Sequence, residues 1–282
     1  MASTREKLEA IKVLLFPPIS NDGSVLYHYT DFNGLKGILE SGQIRATCSK
    51  VLNDGTERSY AAEIVIQHLE SISSGELHPI ILSRLKTPRI FLGDTFVSCF
   101  CEDADLLSMW RGYAGYGGGF CIGFYKGGLQ KLAGQHGSLV RMHYGSTLSP
   151  ELRIVLEQLH ELLLKIPPQS SQDDIQVLSL AVATFDLIKH SAFREEKEWR
   201  IIRRHVAIAH REFMSAPANI KYHVNLSMPK EDPHGTALLP IATVVCGPTL
   251  RKEETTDALQ DMLIRYGYFD IKVSPSEAPY RL

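Results

Sequence analysis

Two glutamates stand one residue apart in Glu196-Lys197-Glu198-Trp199-Arg200-Ile201-Ile202, whose apolar tail reads as the start of a β-strand. On a strand, residues i and i+2 share a face, so the pattern predicts two carboxylates aimed into one space. Like charges held together repel, and that cost implies either a task or a tightly placed cation. Lys189, Arg194, Lys197, Arg200, Arg203 and Arg204 lie around the pair in sequence. The plain alternative is an ion-paired surface strand, which adds little stability. A second polar pair sits in Tyr27-His28-Tyr29-Thr30. Period two puts His28 and Thr30 on one face and the tyrosines on the other. If buried, both must find hydrogen-bond partners, and a histidine bonded to backbone is the structural reading.

Ser98 lies within Thr95-Phe96-Val97-Ser98-Cys99-Phe100, where a hydroxyl is either a core hydrogen bond or part of a site. No Gly-x-Ser-x-Gly elbow surrounds it, so a hydrolase nucleophile is not expected. Met109-Trp110-Arg111-Gly112-Tyr113, followed by Tyr116 and three glycines, offers aromatics beside a glycine-rich loop. Such rings stack on planar groups as readily as they fill cores. The glycines fit neither the dinucleotide fingerprint nor a phosphate-binding P-loop. Asn53, Asp54 and Glu57 read as a helix start close to a capping box. As metal ligands they lack a matching partner set, so no metal site is expected.

The elements that would hold these residues follow from pattern and punctuation. Residues 4–16 form a helix stopped by Pro17 and Pro18. Residues 25–30 form a strand, and Asp31 caps a helix with Leu35, Ile38 and Leu39 at helical spacing and Gly42 at its end. Residues 43–47 are extended, and 53–71 are helical. Strands are expected at 95–100, 120–124, 139–144, 196–202, 220–225, 241–246 and 271–274. Helices are expected at 104–112, 149–166, 172–191 and 251–266. Strands and helices do not alternate strictly, which predicts an α+β fold: a mixed, mainly antiparallel sheet with flanking helices. Residues 1–24 read as an N-terminal helix and extension, and 25–282 as a single domain with a helical insertion at 149–191.

The chain of 282 residues is 44% hydrophobic and 22% charged, with a net charge of −2, so no global field draws it to nucleic acid or an anionic membrane. It contains no apolar run long enough to span a bilayer and no signal-peptide pattern. Five scattered cysteines without paired spacing point to reduced thiols in a cytoplasm.

Taken together, YHYT (27–30), LND..E (52–57), FVSCF (96–100), MWRGYA (109–114), EKEWRI (196–201), VVCGP (244–248) and PYR (279–281) resemble the bacterial domain-of-unknown-function 2971 family. That family name carries no activity. The order of a histidine on a first strand, a serine on a middle strand and Glu-x-Glu before a late strand is also similar to that of ADP-ribosyltransferases. This resemblance implies an ADP-ribosyltransferase-like core that takes NAD⁺ as substrate and breaks the nicotinamide–ribose bond. It implies Glu198 as the catalytic glutamate, Glu196 as the accessory acid, and His28 in the first position. His28, Thr30 and Ser98 would bind the NAD⁺ ribose and phosphate side. Trp110 or Tyr113 would stack on nicotinamide, and Arg111 or Arg200 would meet a phosphate. The bond breaks through an oxocarbenium-like state that a carboxylate stabilises. Partners implied are a nucleic-acid or protein acceptor, no membrane, and, for a toxin or phage-defence effector, an antitoxin. The site reading requires His28 to face the glutamates across the sheet. Rival readings are a nucleotide- or nucleic-acid-binding module without catalysis, motivated by the cationic stretch 194–204, a phosphate-transfer enzyme using the same pocket, and a metal-dependent nuclease.

Overall fold

A computed structural model describes residues 3–19, 22–52, 57–72, 77, 79–87, 94–115, 118–134, 137–166, 172–216, 219–229, 237–249 and 251–279. Its elements in chain order are α1 (Thr4–Leu15), β1 (Val25–Thr30), α2 (Phe32–Ser41), β2 (Gln43–Cys48), α3 (Glu57–Ser71), α4 (Pro79–Lys86), β3 (Phe96–Cys101), α5 (Leu107–Tyr113), β4 (Phe120–Tyr125), α6 (Lys126–Ala133), β5 (Gly137–Arg141), β6 (His143–Tyr144), α7 (Pro150–Leu163), α8 (Gln172–Ala183), β7 (Ile188–Lys189), β8 (Glu198–Arg203), β9 (Glu212–Ala216), β10 (Asn219–Ser227), β11 (Ile241–Cys246), α9 (Lys252–Arg265) and β12 (Lys272–Pro275). The fold is α+β, with a mixed sheet that is antiparallel except for the β11–β12 pair.

Local chemistry sets the boundaries near the site. The Asp31 carboxylate accepts from the Gly34 amide at 2.7 Å and starts α2, and Gly42 ends it at φ 62°, where a Cβ would be strained. Ser149 caps α7, with Pro150 in its first turn. The start of α3 predicted at Asn53 and Asp54 lies outside the described residues.

The sheet splits at β3. One edge of β3 pairs along its whole length with β8, from Phe96↔Arg203 to Cys101↔Glu198. The other edge meets two strands that do not pair with each other. β2 takes one end through Thr47↔Val97 and Cys48↔Phe96. β1 takes the far end through Tyr27↔Cys101 alone. The crossover α2 carries the chain from β1 to β2 over this gap. The arm beyond β1 continues through β4 and β11 to β12, and the arm beyond β2 through β10 to β9.

Two large cores lie on opposite faces. Leu8, Ile11 and Leu15 of α1 join Val65, Ile81, Leu156 and Leu159 against Val97 and Ile202 on one face. On the other, Leu35 and Ile38 of α2 meet Phe96, Phe100, Ile122 and Phe124, with Leu129 of α6 and Leu259 of α9. A small third core covers the first face beyond the gap, where Trp110 of α5 packs on Tyr29, Cys121 and Val245.

Three elements depart from the sequence reading. The helix predicted over 172–191 ends at Ala183. Thr184 bonds back to the Ala181 carbonyl at 2.6 Å, and a 3₁₀ turn leads into the short strand β7. The strand predicted over 139–144 breaks at Met142, whose amide bonds the Glu198 carbonyl at 2.9 Å while its side chain is buried. α6 forms in a segment that the sequence pattern leaves without an element, and a Cβ at its Gly128 would lie 2.3 Å from Pro240. α4 and β9 also form in segments not assigned to an element from the sequence.

Candidate functional site

A cleft of about 1180 Å³ opens at the split and passes through the sheet. Its lining includes His28 and Thr30 of β1, Ser98 of β3, Tyr113 of α5, Lys189 of β7, and Glu196, Glu198 and Arg200. The pairing register puts Glu198 and Arg200 on the same face as Cys101 and Cys99. It puts Tyr27 there as well, and so sends His28 and Thr30 to the opposite face. His28 therefore does not look at the glutamates across one sheet surface. The gap between β1 and β2 lets one cleft reach both faces.

His28 fills part of the gap. Val97 and Cys101 of β3 pair with β2 and β1, so the Cys99 carbonyl between them faces an edge with no strand. The His28 Nδ1 donates to that carbonyl at 2.9 Å. A carbonyl only accepts, so Nδ1 carries the proton. Burial pushes the ring's pKa below the ordinary histidine value, with the carbonyl working the other way. A neutral ring protonated on Nδ1 leaves Nε2 as an acceptor. Ser98 is 3% exposed, and its Oγ has no hydrogen-bond partner among the described residues. Such a hydroxyl, lining a cleft, is free to bond whatever fills it, water included.

The two glutamates converge, though by a different route from the strand alternation. Glu196 ends a 3₁₀ turn, and Lys197 takes φ 40° before β8 begins at Glu198. Lys189 Nζ bonds Glu196 Oε2 at 2.5 Å and Glu198 Oε2 at 2.8 Å. Arg200 Nε bonds Glu198 Oε1 at 2.6 Å, and its other nitrogens hold Glu198 and Glu57. The tightly placed cation required by the carboxylate pair is thus two cations. Burial opposes the charge of Glu198, yet Arg200 and Lys189 outweigh it and hold the carboxyl down to about 2. Burial likewise opposes the charge of Lys189, and Glu198 and Glu196 reverse that, raising its pKa above the ordinary lysine value. The Glu198 amide donates to the Tyr144 hydroxyl at 2.7 Å. Glu196 Oε1 accepts from the hydroxyl of Tyr113 at 3.1 Å, a half-exposed residue at the cleft. Three carboxylates, Glu57, Glu196 and Glu198, face two cations here, leaving one negative charge in excess.

Other expectations shift. Trp110 is fully buried, edge-on to Tyr29 at 4.8 Å, with its Nε1 donating to Asp105. It is a core residue and cannot stack on a ligand. Arg111 lies on the exposed side of α5 and does not line the cleft. Tyr113, 44% exposed, is the aromatic of that stretch that does. The cationic stretch is dispersed: Lys197 pairs with Asp103, Arg204 with Asp186, and Trp199 donates to Glu102. Asn53 and Asp54 lie outside the described residues, and Glu57 is held by Arg200. Among the described residues no three His, Cys, Asp or Glu side chains gather as metal ligands. No described helix is long and apolar enough to cross a membrane, and the five cysteines are free thiols.

Residues 109–201 match the family model described as Protein of unknown function (DUF2971). The resemblance to that family holds over this stretch, which carries Tyr113, Lys189, Glu196, Glu198 and Arg200 but not His28, Thr30 or Ser98. No curated protein matches the chain. Lys189 and Glu57 are the site residues whose part the sequence obscured. The demand of paired carboxylates for a cation was the available signal, and it pointed to a cluster of candidates without choosing Lys189.

Proposed function

We propose that the chain is an NAD⁺-dependent enzyme of ADP-ribosyltransferase type that breaks the nicotinamide–ribose bond. The observation that carries this reading is the split between β1 and β2. It gathers His28, Thr30, the orphaned Ser98 hydroxyl and the Glu196–Glu198 cluster into one cleft large enough for a dinucleotide. In the reaction the bond from C1′ to the nicotinamide nitrogen breaks, and nicotinamide leaves with the electron pair. An oxygen of the acceptor or of water then bonds C1′ and gives up its proton. The positive charge developing at the ribose favours a site with a surplus negative charge. The roles that the resemblance assigns to the two glutamates are exchanged in this proposal. Glu198 is the more deeply buried and holds two cations, so it fixes Lys189 and Arg200, whereas Glu196 bonds one cation and the hydroxyl of Tyr113 at the cleft. Glu196 meets the ribose and takes the acceptor's proton. His28 Nε2 and Ser98 Oγ hold ribose hydroxyls, and Tyr113 lies against nicotinamide. The acceptor class, and a role in toxicity or phage defence, rest on the resemblance.

The test is nicotinamide release from NAD⁺ by purified protein, alone and with cell extract as a source of acceptors. We expect release by the wild type and a loss of at least about a hundredfold in Glu196→Gln, at unchanged melting temperature. A protein that neither binds nor consumes NAD⁺ under both conditions overturns the reading. Binding without turnover would turn it to a non-catalytic nucleotide-binding module, which the full engagement of Glu198 favours.

A further inference from the structure

Behind the Arg200–Glu57 pair lies a second, smaller cavity of about 240 Å³. It shares Leu52, Glu57, Val97 and Arg200 with the main cleft and is otherwise separate. Four cations line it, Lys50, Arg58, Lys86 and Arg200, with two carboxylates, Glu57 and Asp186. Lys50 is paired with Asp94 at 2.5 Å and Arg200 with Glu57 and Glu198, which leaves Arg58 and Lys86 to meet a ligand. The carboxylates are largely spoken for. Asp186 receives Arg204 at 2.9 Å and the Thr95 hydroxyl at 3.2 Å, while Arg58 approaches it no closer than 3.7 Å. Two donors in the wall lack hydrogen-bond partners among the described residues: the Ser49 hydroxyl and the Arg58 Nε–H, both buried atoms. The first turn of α3 supplies Glu57, Arg58 and Ser59 to the same wall, and the start of a helix favours an anion.

A concave space in which Arg58 shares its carboxylate with Arg204, Lys86 stands beside it and two donors are unsatisfied is built for a compact, multiply charged anion with several acceptor oxygens. A carboxylate would satisfy fewer of these donors than a tetrahedral oxyanion does. We propose that this cavity is a phosphate-monoester site. Ser49, Arg58 and Lys86 bind the anion, and Arg200, its charge shared with Glu57 and Glu198, couples the site to the cleft. This inference stands independently of NAD⁺ turnover.

Inorganic phosphate is the probe, titrated by calorimetry and by thermal shift against chloride at matched ionic strength. We expect saturable binding and a melting temperature raised beyond the chloride control. Arg58→Gln and Ser49→Ala should each weaken phosphate about tenfold, and Ser98→Ala, in the main cleft, should leave it unchanged. Should Arg58→Gln fail to fold, Ser49→Ala, which removes one hydroxyl, decides alone. A nucleoside monophosphate binding more tightly than phosphate, with the advantage lost in Ser98→Ala, would show that the phosphate belongs to a ligand reaching from the cleft. Equal affinity would show a free anion; either result upholds the site. No shift beyond chloride, or equal binding by wild type and both cavity variants, would overturn it. The readout needs no NAD⁺, so it succeeds or fails separately from the proposed reaction.

Discussion

Glu198 keeps its charge where water hardly reaches because Arg200 and Lys189 supply three hydrogen bonds to its oxygens. Its folded pKa is depressed from 4.5 to about 2. The stability it contributes is therefore fully present above 4.5 and is lost as pH falls through that window towards 2. The depression corresponds to roughly 3 kcal/mol. Urea unfolding of the wild type between pH 6 and pH 2.5 should show this slope on top of that from other carboxylates. Glu198→Gln, less stable at neutral pH because two buried cations lose a partner, should show a visibly flatter one. Parallel profiles would mean that Glu198 is not held as described. Residue types made part of this site legible: two adjacent carboxylates and a histidine with a threonine on a strand announce themselves. Lys189 did not, because a two-residue strand has no periodicity to read. Trp110 misled because a tryptophan beside glycines resembles a ligand platform, whereas Tyr29 and Asp105 bury it.

The gap between β1 and β2 depends on how closely α2 crosses it. Gly34 lets the helix start press on Thr30: a Cβ there would lie 1.9 Å from the Thr30 Oγ1. Alanine is favoured over glycine inside a helix by about 1 kcal/mol. An overlap this deep costs more, about 1–3 kcal/mol when the neighbour must move. Gly34→Ala should therefore destabilise the protein by chemical denaturation. Thr30→Ala removes the clashing hydroxyl, so the double variant should recover most of the loss, a coupling that independent sites do not show. Additive losses would place the strain elsewhere. By contrast, a Cβ at Gly37 meets nothing within 4 Å, so Gly37→Ala should cost no stability. The α2 unit was plain from Asp31, Gly42 and the spacing of its apolar residues. The split it bridges was hidden, since β1 and β2 alternate like any strands and only pairing reveals that they never meet. The α6 helix was hidden too, because the reason for its glycines is Pro240, more than a hundred residues away in the chain.

Across the whole molecule the site is assembled from distant parts, and the family-matched stretch 109–201 holds only some of them. Within it lie most of α5, β4 to β7, α6 to α8 and the start of β8. β4 lies between β1 and β11, and β8 lies against β3 on one side and β5 on the other. Of these, β1, β3 and β11 fall outside the stretch. The helical core also needs Leu8 and Ile11 of α1 and Val65 of α3. Trp110 packs on Tyr29 and Val245, both outside as well. A fragment of residues 109–201 would thus expose three strand edges, both of β4 and one of β8, and would lack much of each core, which an isolated piece of this size cannot offset. It should give weak near-ultraviolet circular dichroism, a non-cooperative urea transition and red-shifted tryptophan emission, while the full chain unfolds cooperatively. A fragment with sharp unfolding and native-like emission would show instead that 109–201 folds alone. The cleft would then be a surface between two folding units, and His28 and Ser98 would be supplied to the Glu196–Glu198 cluster from a separate one.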